Sequence, residues 1–519
     1  MTLSKVMTIW EKLFLTSFAI VGFTGLILTY TCYDSIVNIF GVKAWVLGYL
    51  YLFVLLYFAC FSSIRKHALV IVFTVYSILF YLNSWFYHFY NPEGLYLGRT
   101  FRALMSWDYE WGLIYLIVCT LVVFYAISLS DSIFKVKWKT QSDLEQVSPV
   151  KSFNLILLFL VLAIITQLYL RYYGNAGEAF TSRNLEELVV GGDRLYKLLV
   201  TGAMILSEPE VLFLVFASFV AWNYKLDNTF KLTSMIAPIL IVCVATVLLG
   251  SRAGIYQIAI ICLCVFVGFE FYRFRDYKVP KKFYVFLLAL VIFLPSFFYV
   301  ATTLRSFIYE DGGFSRLDKA RWEQKAKSSF LKQSPLSSML RRLSSWDSFI
   351  LIVSKNQFIE PSEVINWEQT LKVTVDQVAP GTVFGSHWAT QRNFGFIYNN
   401  DKLRGAQFAS HGYTFGFFGI SHIMFGAFGA LFFIFIFVFM FGVLWHFFGV
   451  CRMGGFYRSI LLLMFYRSMD NFGFDYMVAS NFYFVHIWFV LTCGFYYYYY
   501  LRAKNDNPSL NASELQQAG

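Results

Sequence analysis

The chain has 519 residues, of which 58% are hydrophobic and only 14% charged, and its mean hydropathy is +0.58. Soluble globular domains carry about 25% charged residues, so this composition excludes a soluble enzyme and specifies a polytopic membrane protein. The net charge of +11 then reads as basic loops that orient membrane spans, and no nucleic acid is expected as a partner.

Apolar runs fall at 13–33, 43–63, 68–90, 111–130, 152–171, 209–224, 232–250, 253–272, 283–303, 418–446, 456–474 and 477–501. A span needs about 20 apolar helical residues, which predicts an all-α protein with about 12 transmembrane helices. The first run is too long for a signal-peptide core and lacks a small-residue cleavage site, so it is expected to be a retained anchor. Spans 1–9 occupy residues 1–303, with a polar outward segment at 172–208 that carries an interfacial helix around 195–205. Residues 304–412 form one large polar insertion, 413–501 hold spans 10–12, and 502–519 form a polar tail expected to be disordered.

Basic residues alternate along these loops. One set comprises Lys5 and Lys12, Arg65 and Lys66, Lys135, Lys137, Lys139 and Lys151, Lys225 and Lys231, the group over 273–282, Arg452 and Arg458, and Arg502 and Lys504. It outnumbers the opposite set, which includes Lys43, Arg99, Arg102 and Arg252, roughly two to one, so positive-inside bias places both termini in the cytoplasm and the insertion outside. The eight cysteines lie in or beside apolar runs and none falls in the insertion, which argues against a disulfide framework.

Within the insertion, Met339, Leu343, Trp346, Ile350 and Val353 recur at helical spacing after Pro335, predicting an amphipathic helix with Arg341, Arg342 and Asp347 on its polar side. On span 10, Gly419, Gly426 and Gly429 are read as positions of close helix approach.

The sharpest local signal is Gly250-Ser251-Arg252-Ala253-Gly254, a turn so short that two spans must meet there as an outward-side hairpin. An arginine near the hydrocarbon boundary costs about 2–3 kcal/mol unless solvated or paired. A planar guanidinium that donates two hydrogen bonds at once suits phosphate oxygens, which makes a diphosphate the natural ligand; a structurally paired or snorkelling arginine is the alternative. Arg305 follows span 9 at the same depth, Arg404 lies late in the insertion, and Arg467, Asp470 and Asp475 flank the outward turn between the last two spans. Glu208 and Glu210 open span 6, and Asp108 and Glu110 open span 4, so ionisable groups gather at the outer mouth rather than the midplane.

His411 is polar-flanked at the junction of insertion and membrane, where an imidazole suits a general base. His88, His422, His446 and His486 sit in apolar or aromatic runs and are read as packing residues. No His, Asp or Cys grouping has metal-ligand spacing, and no Walker-type or dinucleotide glycine loop occurs, so neither a metal nor a cofactor is expected.

At Gly250 to Gly254, at the long outward insertion, and at Tyr413-Thr414-Phe415-Gly416-Phe417-Phe418-Gly419, the chain resembles bacterial O-antigen polymerases of the Wzy type, which are similar in plan to O-antigen ligases. The resemblance implies a glycosyltransferase C-like architecture in the inner membrane and a metal-independent transfer on the periplasmic side. Undecaprenyl-diphosphate-linked glycans would be its substrates and a polysaccharide chain-length regulator a further partner. It further implies diphosphate or sugar contacts from Arg252, Arg305, Arg404, Arg467 and Tyr413, and catalytic roles for His411, Asp470 and Glu208. The competing expectations are an O-antigen ligase, which differs only in acceptor, and a flippase for the same lipid-linked sugar. Against the flippase stand the absence of repeated halves and the size of the insertion.

Overall fold

The structure, a computed structural model, describes residues 41–60, 67–82, 106–134, 260–265, 267–268, 346–355, 416–450 and 454–470. It also describes isolated helical positions at 16, 23, 27, 158, 161, 162, 164, 165 and 244. The elements are α1 (Gly41–Cys60), α2 (Ala68–Ser77), which continues through a π-helical turn (Ile78–Leu82), α3 (Ser106–Ile133), α4 (Trp346–Lys355), α5 (Gly416–Val450) and α6 (Gly454–Asp470). No strand occurs among the described residues.

Among the described residues, three helical stretches are long and apolar enough to cross a membrane: Gly41–Ala59, Trp107–Ile133 and Phe425–Phe447. Each also turns apolar side chains outward at three- and four-residue steps. On α1 the exposed stripe is Val42, Val46, Leu50, Phe53 and Tyr57; on α3 it is Trp107, Trp111, Ile114, Val118, Leu121 and Tyr125; on α5 it includes Phe428, Phe432, Ile436 and Met440. A surface helix in water shows polar residues on that face. Here the buried face of α3, with Leu113, Leu116, Val123 and Ile127, is no more apolar than the exposed one, which is the pattern of helices solvated by lipid.

The helices alternate in direction around α3 and α5. His67 at the start of α2 meets Trp445 and His446 near the end of α5 and Asp131 at the end of α3, while Arg458 at the start of α6 lies over Trp445. At the opposite end, Tyr81 stacks on Phe418 with ring centroids 5.9 Å apart and meets Phe349 of α4 at 5.5 Å. Tyr76 of α2 meets Tyr466 of α6 there at 5.9 Å. Thus α3 and the part of α5 after Gly426 run from the Phe349 end to the His67 end, and α2 and α6 run back. The part of α5 before Gly426 doubles back on the later part, Phe417 packing on Phe437 with ring centroids 4.8 Å apart. α1 runs with α3, its Phe58 ring stacked on Phe124 at 4.4 Å.

Two glycines have conformations that the local geometry requires. Gly416 opens α5 at φ 66°, and a Cβ there would come within 2.7 Å of the Tyr81 hydroxyl and 2.8 Å of that of Tyr76. Gly426, at φ 69° and ψ −179°, breaks α5, and a Cβ on it would meet nothing within 4 Å. Gly426 is therefore a turn residue, at which α5 reverses so that Phe425 packs on Phe433 with ring centroids 4.8 Å apart, and not the close-approach position its spacing suggests. Gly429 does lie at a close approach, a Cβ there coming within 2.9 Å of the Phe425 Cβ, and further ones lie at Gly112 against Ile350, Gly268 against Ser459 and Gly442 against Ser130.

Candidate functional site

The Phe349 end receives a piece of the polar insertion. In α4, Phe349, Ile350, Ile352 and Val353 are buried, and Phe349 lies parallel to Tyr115 of α3 with centroids 6.3 Å apart. A Cβ on Gly112 would approach the Ile350 side chain to 2.9 Å, so the absence of a side chain at 112 lets α4 seat on α3. Of the expected apolar stripe, Ile350 and Val353 are buried as anticipated, whereas Met339, Leu343, Arg341 and Arg342 lie outside the described residues. Phe349 and Ile352 widen the buried face beyond the spacing read from the sequence.

Around this docked helix the bundle presents polar groups in an aromatic wall. Asp108 is fully buried in the first turn of α3. Tyr115 donates its hydroxyl proton to the Ala427 carbonyl at 3.1 Å, next to the Gly426 break, and its ring meets that of His422 edge-on at 5.1 Å. His422 is buried, consistent with its reading as a packing residue. The Met469 carbonyl at the end of α6 lies 3.6 Å from where a Cβ on Gly416 would be. The last turn of α6, which carries Arg467 and Asp470 in the sequence, therefore closes on the start of α5. Glu208, Arg252, Arg305, Arg404, His411 and Tyr413 lie outside the described residues, as do the side chains of Arg467 and Asp470.

The His67 end holds a grouping that spacing along the chain did not reveal. His67 caps α2: its Nδ1 accepts the Leu69 amide proton at 3.3 Å, and its carbonyl accepts that of Val70 at 3.0 Å. Its Nε2 lies 3.5 Å from the Asp131 Oδ1. The same oxygen accepts from His446 Nε2 at 2.7 Å. The two histidine side chains are nearly sealed, at 2% and 9% exposure, while Asp131 keeps 34%. Burial, the largest influence, pushes His67 down to about 4 against the opposing pull of Asp131, so the ring is neutral at pH 7. Arg458 is 5% exposed, its guanidinium 4.8 Å from the centre of the Trp445 ring. It is folded into the bundle and is not a solvated loop cation. His446, read from the sequence as a packing residue, is a hydrogen-bonding one. The three ligand-type atoms of His67, Asp131 and His446 all lie within 4.8 Å of one another.

The described cysteines agree with their reading as small apolar residues: Cys119, Cys262 and Cys264 are free thiols buried in the helices. Compared with family models, with characterised proteins and with solved structures, the chain matches none.

Proposed function

We propose that the chain is a polytopic inner-membrane glycosyltransferase that polymerises undecaprenyl-diphosphate-linked oligosaccharide repeats on the periplasmic side, the reading that its resemblance to O-antigen polymerases implies. The observation that carries it is the docking of α4, part of the long polar insertion, by Phe349 and Ile350 onto the end of helices whose outer faces are apolar. An insertion built onto the mouth of a membrane bundle suits a substrate whose lipid stays in the bilayer while its sugars stand in water. Orientation is supported by charge. Arg65 and Lys66, Lys135, and Arg452 adjoin the His67 ends of the helices in the sequence, and positive-inside bias makes that end cytoplasmic and the Phe349 end periplasmic.

In this reading an acceptor sugar hydroxyl attacks the anomeric carbon of the donor glycan, the bond from that carbon to the diphosphate oxygen breaks, and undecaprenyl diphosphate leaves. Negative charge grows on the departing diphosphate, and fixed guanidinium groups in a poorly hydrated cleft stabilise it without reorganising. Arg252 is the first choice for that role, with Arg305, Arg404 and Arg467 as further contacts and Tyr413 against the sugar. The hydroxyl proton passes to a base, His411 first, with Asp470 and Glu208 as the other candidates.

The test is a gel of surface polysaccharide from a strain lacking this chain, complemented with wild type, Arg252→Ala or His411→Ala. Core carrying a single repeat in the deletion strain, a full ladder with wild type, and no ladder with membrane-inserted Arg252→Ala is the expected result. Core without any repeat would identify a ligase instead, and a normal ladder from Arg252→Ala would remove that arginine from the mechanism.

A further inference from the structure

We propose that His67, Asp131 and His446 form a binding site for a divalent transition ion of the zinc class at the end of the bundle opposite α4. This site is independent of the glycosyltransferase reading, since none of its residues belongs to the proposed transfer machinery. Its three donors come from three helices: the N-cap of α2, the last turn of α3 and the late part of α5. Two imidazoles and one carboxylate are a donor set that zinc accepts, with a fourth position left open.

Two of the three donor separations come near those of such an ion, and all three lie within 4.8 Å. A tetrahedral zinc with bonds of about 2.0 Å holds its donors roughly 3.3 Å apart. The His67 Nε2 to Asp131 Oδ1 separation is 3.5 Å. The 2.7 Å contact from His446 to the same oxygen need widen only by about 0.6 Å to reach that spacing. Direct hydrogen bonding alone accounts for the arrangement less well. His446 already takes Oδ1, and His67 aims its Nε2 at the same atom from beyond hydrogen-bond length, without a hydrogen-bond partner among the described residues. Partial exposure of Asp131 gives an ion a route to donors that are otherwise sealed.

Two neighbours shape the chemistry. Ligation through His67 Nε2 puts the ring proton on Nδ1, so the capping bond from Leu69 must be released; at 3.3 Å it is a long bond and little is lost. Arg458 is close enough for its charge to be felt at His67. A second cation beside a dication favours hydroxide or another anion, not neutral water, in the open position. Ligation through His446 Nε2 likewise moves that ring's proton to Nδ1 and ends its hydrogen bond to Asp131.

The experiment uses untagged full-length protein in detergent, stripped with chelator and titrated with Zn²⁺, and separately with Co²⁺ as the spectroscopic probe. Expected are a single tightly held ion per chain after desalting and visible cobalt bands of a low-coordinate nitrogen and oxygen site. Affinity should be at least ~10-fold weaker in His67→Ala, Asp131→Asn and His446→Ala, and unchanged in His422→Ala at the other end. Should the variants fail to fold, the wild-type cobalt spectrum decides alone: a spectrum no different from the hydrated ion overturns the proposal. So does zinc retention by the wild type that is equalled by the His67→Ala/His446→Ala double variant, or lost equally in His422→Ala.

Discussion

The two ends of the described bundle are built on different principles. At the Phe349 end, contact is made by rings: Phe349, Tyr81, Phe418 and Tyr115 form a continuous aromatic wall, and buried Asp108 lies on the same segment of chain. At the His67 end, three helix termini are tied by imidazole and carboxylate groups, with Arg458 and Trp445 beside them. An aromatic wall excludes water and tolerates modest sliding, because its attraction depends on area. A polar tie depends on distances of a few tenths of an ångström, so it sets the register of α2, α3 and α5 relative to one another. Under the proposed function, the difference suits an end that admits and releases a large substrate paired with an end that holds still.

The substitution expected to have the largest effect attacks the wall. Phe349→Ala removes a fully buried ring, at a cost of about 3–5 kcal/mol. Amide exchange across 346–355 should rise by orders of magnitude while α5 and α3 stay protected. Unchanged exchange there would show that α4 is held by something other than its aromatic face.

A smaller loss is expected from Gly442→Val, which wedges α5 away from α3 by placing a Cβ within 2.7 Å of the Ser130 Cβ. Overpacking of this kind costs about 1–3 kcal/mol. Thermal unfolding in detergent should fall accordingly, and the displacement should separate Asp131 from His446, so that zinc retention drops along with stability. Retained zinc at full affinity would mean that the tie does not depend on the spacing of these two helices.

Tyr115→Phe sits between the two designs, since it keeps the ring against Phe349 and deletes only the bond to the Ala427 carbonyl. The expected cost is about 0.5–1.5 kcal/mol, read as faster exchange confined to the residues around the Gly426 break. Ser132→Ala calibrates the scale: its hydroxyl bonds back to the Ser128 carbonyl at 2.8 Å on an exposed turn. Its unfolding should shift by less than about 0.5 kcal/mol.

Much of the helical plan was legible beforehand. The runs read at 43–63, 111–130 and 456–474 correspond to α1, α3 and α6, because a long unbroken apolar run in water-excluded surroundings has little choice but to close its own backbone hydrogen bonds. The run at 418–446 crosses as Phe425–Phe447, with the residues before Gly426 folded back. The runs at 13–33, 152–171, 209–224, 232–250, 253–272, 283–303 and 477–501 lie outside the described residues apart from a few helical positions. The third run, described from Ala68 to Leu82, passes from α-helix into a π-helical turn at Ile78. The insertion helix was legible in Ile350 and Val353, where polar neighbours make the apolar period visible. The His67 cluster was not. His446 lies 315 residues from Asp131, and no local spacing links residues that only helix packing brings together. Gly426 was misread for a related reason: a glycine at a reversal and a glycine at a crossing look alike in a sequence, and only φ and the nearby atoms distinguish them.

The sequence by itself determined that this chain is a helical membrane protein with a polar insertion, because run length, composition and loop charge act locally and need no partner. Only the tertiary structure decided which face of each span turns inward and which distant groups meet. When both faces of a helix are apolar, as on α3 and α5, the amphipathic pattern that would announce the choice is missing. The choice then falls to shape: where a glycine lets a neighbour close in, and where a ring or an imidazole finds its counterpart.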